Sequence, residues 1–389
     1  MLVDAFALLE HARRHAYAIG AYDVIDTAML EGVIQGAERV AAPVILSLAE
    51  AHLDLFDEAA LMRAVVDLAQ RTPLPVAIHY DHGSSLERLE RATRLGYTSL
   101  MLDASHLVLE ENVAATRAAA ELAHRAGMPL EGELGYVPGE EGRDAELHPG
   151  EIRYTDPKEA CDFVAATGCD WLAVSIGTVH GRFRGEPKLD FARLEAVRQA
   201  AGVPLVIHGG TGLSDEQFRV LVRSGTNKIN YYTALVELAA QAAAGQRRWE
   251  AMRSAAVSAI AAEVARTSTL WGAAGQADSA CRFAPPLVAV EHVIYHNWTG
   301  NEAELQEMQA RGIEVLGQLP GVQRIHAGYA ERQDAPYRYL WTMTLANPRA
   351  MQAFREDPRH QDYANAYFRP WAAERITIDF LHLSNPESL

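Results

Sequence analysis

From its start to about residue 235 the chain repeats one unit, a short unbroken apolar run followed by an amphipathic stretch. The runs fall at residues 18–22, 43–47, 75–80, 98–102, 129–133, 171–176, 204–207 and 228–230. They are short and rich in Val, Ile and aromatic residues, the pattern of strands buried on both faces of a parallel sheet. Between them lie helical stretches such as 86–92 and 112–126, with apolar residues at helical spacing and a glycine near the end. Ser214-Asp215-Glu216-Gln217 has the form of a capping box that opens another helix. Eight strands alternating with helices specify a (β/α)8 TIM barrel, in which reacting groups sit at the C-terminal ends of the strands.

The polar residues fall at those ends. Asp23 follows the first run, Asp81 and His82 the third, and Asp103 closes the fourth. Glu133 closes the fifth, His180 follows the sixth, His208 closes the seventh and Asn230 the eighth. Three of these positions share a local signature: His82-Gly83, His180-Gly181 and His208-Gly209 are the three places where histidine directly precedes glycine. Glycine allows a tight turn or a close approach of the backbone. Neutral imidazole is the commonest protein ligand for zinc, and three protein ligands leave a catalytic ion an open position. Any one histidine at a strand end is ordinary; three in one context point to a metal site assembled by the fold.

The chain has 389 residues, more than one typical domain. Residues 236–270 are Ala-rich and helical, 271–286 read as a linker, and the pattern then changes. Strands are expected at 287–295, 322–330, 337–345 and 375–383, with helices at 302–319 and near 348–354. That β-α-β-β-α-β order is the ferredoxin-like α+β arrangement. The expected division is therefore a barrel over 1–270, a linker over 271–286 and a small domain over 287–389.

Composition excludes several classes. A net charge of −16 opposes nonspecific nucleic-acid binding, which relies on cationic side chains. The N-terminal residues lack the basic and apolar pattern of a signal peptide, and no apolar stretch is long enough to span a bilayer. The expectation is a cytoplasmic protein with neither nucleic-acid nor membrane partners. Cys161, Cys169 and Cys281 are odd in number and lack CxxC spacing, as expected of reduced, structural thiols.

Five motifs in order carry a resemblance: Tyr80-Asp81-His82-Gly83, Glu131-Gly132-Glu133-Leu134-Gly135, Gly177-Thr178-Val179-His180-Gly181, His208-Gly209-Gly210-Thr211-Gly212 and Lys228-Ile229-Asn230. With them the first 255 residues or so resemble the class II, metal-dependent fructose-bisphosphate aldolases and related ketose-phosphate aldolases. The resemblance implies that His82, His180 and His208 hold a catalytic Zn²⁺ or another divalent transition metal, with a monovalent cation as a further cofactor. It implies that Asp81 is the acid/base and that Asp103 and Glu133 hold a displaced or second metal. Glu141 would be a mobile-loop glutamate that moves a proton at the ketose carbon. Gly181, Gly209, Thr211, Asn230 and Thr233 would bind the ketose-phosphate portion. The chemistry implied is reversible aldol cleavage through a metal-stabilised enediolate. Lys228 begins its strand and should lie deep, which argues against a Schiff-base mechanism.

Four positions depart from the family pattern: Asp23 stands for an asparagine, Ala49 for a serine, Arg184 for a lysine and Tyr232 for a smaller or acidic residue. All four are expected on the substrate side of the pocket. Asp23 would repel an anion, Tyr232 would narrow the pocket, and Arg184 could grip phosphate or carboxylate. The expected substrate is a ketose or ketose phosphate other than fructose 1,6-bisphosphate. An isomerase or epimerase using the same enediolate, and a sugar-binding or assembly protein without turnover, are the alternatives; Asp81 beside three histidines favours catalysis. Through His292-Val293, Pro320-Gly321-Val322 and Asp357-Pro358-Arg359-His360 the C-terminal segment resembles the Dabb (stress-responsive dimeric A/B barrel) domains. This implies a homo-oligomer, dimer or tetramer, and a structural role for His292, His326 and His360.

Overall fold

The computed structural model describes residues 1–139, 152–181 and 188–381. Strands β1 (Ile19–Asp23), β2 (Val44–Ala49), β3 (Val76–Gly83), β4 (Ser99–Leu102), β5 (Leu130–Leu134), β6 (Trp171–Val174), β7 (Leu205–Ile207) and β8 (Thr226–Tyr231) close into a parallel barrel in chain order. Closure is made by β1 against β8, with Ala21 opposite Asn230. Apart from His82 on β3, every residue of these strands is buried. That is why the runs read as continuous apolar stretches with no alternation: helices cover the outside and side chains fill the inside. The expected capping box is present, with Ser214 and Gln217 bonding each other's backbone at the start of helix Asp215–Arg223.

Two stretches differ from the sequence reading in detail. The Ala-rich segment is a pair of helices, Thr233–Ala244 and Trp249–Leu270, interrupted after Gly245. The stretch expected as a linker carries a third helix, Ala277–Phe283, and the barrel unit runs on to Pro286. Ala273, Ala280 and Ala284 are buried in the same apolar cluster as Leu8, Leu9, Tyr17 and Trp171. Small alanines let this helix lie close to the first helix of the chain, Ala5–Arg14; their low bulk is what makes the segment look like a linker in sequence.

The second compact unit takes up at Leu287. Its strands β9 (Val290–Trp298), β10 (Val322–Tyr329), β11 (Tyr339–Leu345) and β12 (Ala372–Leu381) form one antiparallel sheet in the order β10-β11-β9-β12. Helices Glu302–Leu316 and Pro348–Glu356 complete the ferredoxin-like order, and a further helix, Pro358–Tyr363, follows Asp357. One face of the sheet packs Trp341 and Met343 against Leu305, Met308, Leu316, Met351 and Phe354. His292 donates to Asp379 at 2.5 Å, and the His360 ring stacks on that of Phe354. Among the described residues, no helix is long and apolar enough to cross a membrane.

Candidate metal centre and active site

The first histidine is placed by an irregularity. β3 and β4 pair in register through Tyr80 and Leu100, then slip so that Gly83 stands opposite Leu102. In a regular strand Asp81 and His82 would point to opposite faces. The bulge puts His82 at φ +50°, a left-handed conformation that β-bulges and functional sites exploit to re-aim a side chain. Both residues then serve one barrel end. Gly83 is needed for this, since a Cβ there would sit 2.5 Å from the Met101 carbonyl oxygen. The third pair is constrained more tightly: Gly209 has φ +73°, and a Cβ would meet the Val179 oxygen at 2.0 Å. That contact stacks the turn carrying His180 onto the end of β7.

The three imidazoles converge. His82 Nε2 lies 3.0 Å and His180 Nε2 3.4 Å from His208 Nδ1. Each ring is oriented from behind by an acceptor: His82 Nδ1 donates to Asp103 Oδ2 (3.0 Å), His180 Nδ1 to the Val137 carbonyl (3.1 Å) and His208 Nε2 to Glu131 Oε1 (2.8 Å). Carboxylates and carbonyls only accept, so each outward nitrogen carries a proton, and each inward nitrogen offers a lone pair when its ring is neutral. Such an arrangement fits a cation in the middle. Nitrogens each about 2.0–2.1 Å from a tetrahedral ion lie roughly 3.3 Å apart, close to the separations found here. Glu133 adds a carboxylate oxygen: its Oε2 is buried, has no hydrogen-bond partner among the described residues and lies 3.8 Å from His208 Nδ1. His82, Asp103 and Glu133 form an overlapping second set of ligand atoms, all within 4.8 Å of one another.

Electrostatics follow the geometry. Burial opposes charge on His82, but Asp81 and then Asp103 hold its pKa well above the usual imidazole range. Burial and the two neighbouring imidazoles bring His180 down to about 3. Burial, reinforced by Asp103, raises the Glu133 carboxyl well above its ordinary range. For Asp81 burial works the other way from the net result: His82, His79 and Lys228 together outweigh it and keep the carboxyl well below the usual range. Asn230 Nδ2 donates to both Asp81 oxygens, at 3.2 and 3.0 Å.

The remaining expected residues ring the same barrel end. Asp23 is buried at the end of β1 opposite Ser47, and Ala49 stands opposite Asp81 across β2 and β3. Tyr232 precedes helix Thr233–Ala244, is buried, and has its ring 4.5 Å from that of His52. Thr211 accepts from the Ala234 backbone at 3.3 Å, and Gly181 takes φ +78° in the turn after His180. Among the described residues, Asp23 belongs to none of the histidine and carboxylate clusters. Glu141 and Arg184 lie outside the described residues.

Sequence reasoning passed over Glu131, His79 and the Val137 carbonyl. A signal for the first two existed: Glu131 and Glu133 on β5, and His79 and Asp81 on β3, are two residues apart and so face the same way. Lys228 and Asn230 on β8 follow the same rule. As expected, Lys228 lies deep, fully buried and 2.7 Å from Glu131 Oε2.

A closed parallel barrel with an imidazole triad and a buried carboxylate at the strand ends is a TIM barrel carrying a group of side chains able to hold a metal ion. Residues 3–276 match the family model described as fructose-bisphosphate aldolase class-II, and residues 297–381 match the stress responsive A/B barrel domain. The chain therefore belongs to the class II fructose-bisphosphate aldolase family and is a lyase, with a C-terminal domain of the second kind. Members of the family are metal-dependent and act on small sugar phosphates by aldol cleavage. The fructose-bisphosphate aldolase of Geobacillus stearothermophilus is 41% identical over 235 residues, covering 60% of this chain and 81% of that one. The crystal structure of the YdjI aldolase of Escherichia coli K12 is similar at 35% identity and a TM-score of 0.65, over 71% of this chain and 100% of that one. A putative fructose-1,6-biphosphate aldolase structure from Coccidioides immitis is similar at 28% identity and a TM-score of 0.66, over 71% and 98% of the two chains.

Proposed function

We propose that this chain is a cytoplasmic, Zn²⁺-dependent aldolase that cleaves a ketose or ketose phosphate other than fructose 1,6-bisphosphate. The observation that carries the metal is the triad itself: three inward nitrogens within 4.8 Å of one another, His208 Nδ1 3.0 and 3.4 Å from the other two, with every outward N–H engaged. Imidazole donors with a carboxylate nearby suit Zn²⁺. His82, His180 and His208 would hold it, with Glu133 and Asp103 available to a displaced or second ion. When bound, the ion supplies Lewis-acid stabilisation of the negative charge that develops on the carbonyl oxygen.

The chain's own groups handle the protons. Asp81, kept ionised by its neighbours and fixed by Asn230, takes the proton from the hydroxyl on the carbon beyond the bond that breaks. In the reverse direction it returns that proton to the aldehyde oxygen. Glu141 is assigned the proton at the ketose carbon. Gly181, Gly209, Thr211, Asn230 and Thr233 bind the ketose portion. The buried carboxylate of Asp23 and the Tyr232 ring against His52 favour a neutral or singly charged end over a second phosphate. Free thiols at all three cysteines accord with a reducing compartment.

The C-terminal unit we assign to assembly with a second copy of the chain. Its sheet leaves Tyr295 on β9 and Ile376, Ile378 and Phe380 on β12 exposed, and Ile376 pairs with Tyr295 across the two strands. Four strands with one bare apolar face do not close a barrel, whereas two such sheets face to face bury that surface. The whole reading is tested by stripping the metal with EDTA, restoring Zn²⁺, and following aldehyde release from a panel of phosphorylated and unphosphorylated ketoses. Turnover should vanish and return with the metal, and should be fastest on a substrate other than fructose 1,6-bisphosphate. Fastest cleavage of the bisphosphate overturns the substrate assignment, and turnover indifferent to EDTA overturns the metal.

A further inference from the structure

Below the metal triad lies a layer of buried charge that the chemistry above does not use. Glu131 is fully buried and saturated with donors. Its Oε1 accepts from His208 Nε2 at 2.8 Å; its Oε2 accepts from Lys228 Nζ at 2.7 Å and from Trp171 Nε1 at 2.6 Å. His79, also fully buried, places its Nε2 3.4 Å from Glu131 Oε2 and 3.5 Å from Asp81 Oδ1. Its other nitrogen is 2.9 Å from Ser99 Oγ. Among the described residues Nε2 makes no hydrogen bond to either carboxylate, and the Ser99 hydroxyl donates to Nδ1.

A buried lysine with one carboxylate partner is costly to build, and replacing such a pair by apolar residues is often neutral or stabilising. Packing alone therefore gives no reason for Lys228 and Glu131. Their placement does: the carboxylate they fix is the one that orients His208. Acceptors behind a ligating histidine set its tautomer and direction, and removing one commonly weakens metal binding 10- to 100-fold.

We propose that Glu131, clamped by Lys228 and Trp171, is the positioning residue of this active site, holding His208 toward the metal. Lys228 acts as the fixed counter-charge that keeps the Glu131 carboxylate in place. This rests on the metal-centre reading and extends it to residues that touch neither metal nor substrate.

The test uses the full-length protein and metal alone, so it does not depend on the substrate. Lys228→Met keeps the length of the side chain and removes its charge; Glu131→Gln keeps the shape and alters the acceptor. Zn²⁺ affinity is measured by competition with a chromophoric chelator, and the site geometry by the visible absorption of the Co²⁺-substituted protein. Both variants should bind Zn²⁺ about 10- to 100-fold more weakly and shift the Co²⁺ bands. Trp171→Phe, which leaves Lys228 and His208 on Glu131, should retain affinity within a few-fold. If Lys228→Met does not fold, Glu131→Gln carries the test. Unchanged affinity and an unchanged Co²⁺ spectrum in Glu131→Gln overturn the positioning role while leaving the metal centre standing. Failure of the unaltered chain to bind Zn²⁺ or Co²⁺ overturns the metal reading, and this inference with it.

Discussion

Asp81→Asn is the substitution that most directly separates chemistry from scaffolding. Asp81 is fully buried, with both oxygens held by Asn230 and with His82 Nε2 4.0 Å away. An amide of the same shape keeps one of the two Asn230 contacts and loses the charge. The cost in stability is that of a hydrogen bond to an ionised group, about 1.5–3 kcal/mol, which a barrel of this size tolerates. The kinetic cost is larger. A positioned acid/base contributes roughly 10²- to 10⁴-fold, or about 3–5 kcal/mol at ~1.36 kcal/mol per decade. The upper part of that range applies, because among the described residues the nearby carboxylates are engaged: Glu131 is occupied by His208, Lys228 and Trp171, and Glu133 lies against His208. The assay follows aldehyde release from the ketose cleaved fastest by the unaltered chain, with zinc content measured on the same sample. Turnover should fall about 10³- to 10⁴-fold with zinc retained. A variant that keeps a tenth of the original rate with full zinc refutes the role, and a loss of rate that simply tracks loss of zinc makes Asp81 a support for the metal.

Other expectations are independent of the substrate. Zn²⁺ added to metal-free protein should raise its thermal midpoint, since an ion at 100 times its Kd stabilises the fold by about 2.7 kcal/mol; no shift in a calorimetric scan would contradict a site on the folded chain. A maleimide should label exposed Cys161 in the native protein and spare Cys169, whose buried thiol is pushed up to about 12; peptide mapping showing both labelled alike would contradict the burial. Ile378→Asp, on the bare face of the second sheet, should lower the mass measured by light scattering while leaving aldehyde release from the barrel in place. An unchanged mass would move the assembly surface elsewhere.

Much of the fold was legible because a barrel strand is buried on both faces and so reads as a short continuous apolar run; all eight expected runs became strands. The ferredoxin-like order of the second unit was legible through the alternation of its strands and helices. The helix Ala277–Phe283 was not, because alanines and glycines carry little periodic signal until a neighbouring helix gives them something to pack against. At the site, the three His-Gly pairs announced themselves by local context. Glu131, His79 and Lys228 did not, because a charged residue within an apolar run declares a partner without naming it.

By itself the sequence determined the alternation of strands and helices, the polar residues at the strand ends, and the candidate ligands His82, His180 and His208. These are local properties, set by burial period and turn chemistry over a few residues. Tertiary structure decided that His82 and His208, 126 positions apart, stand 3.0 Å from each other. It also decided which acceptor turns each ring, and that the buried carboxylate behind His208 is held by Lys228 and Trp171. The physical reason is closure: the pairing of β1 with β8 and the slip between β3 and β4 set how far each strand end projects, and no stretch of local sequence contains that register.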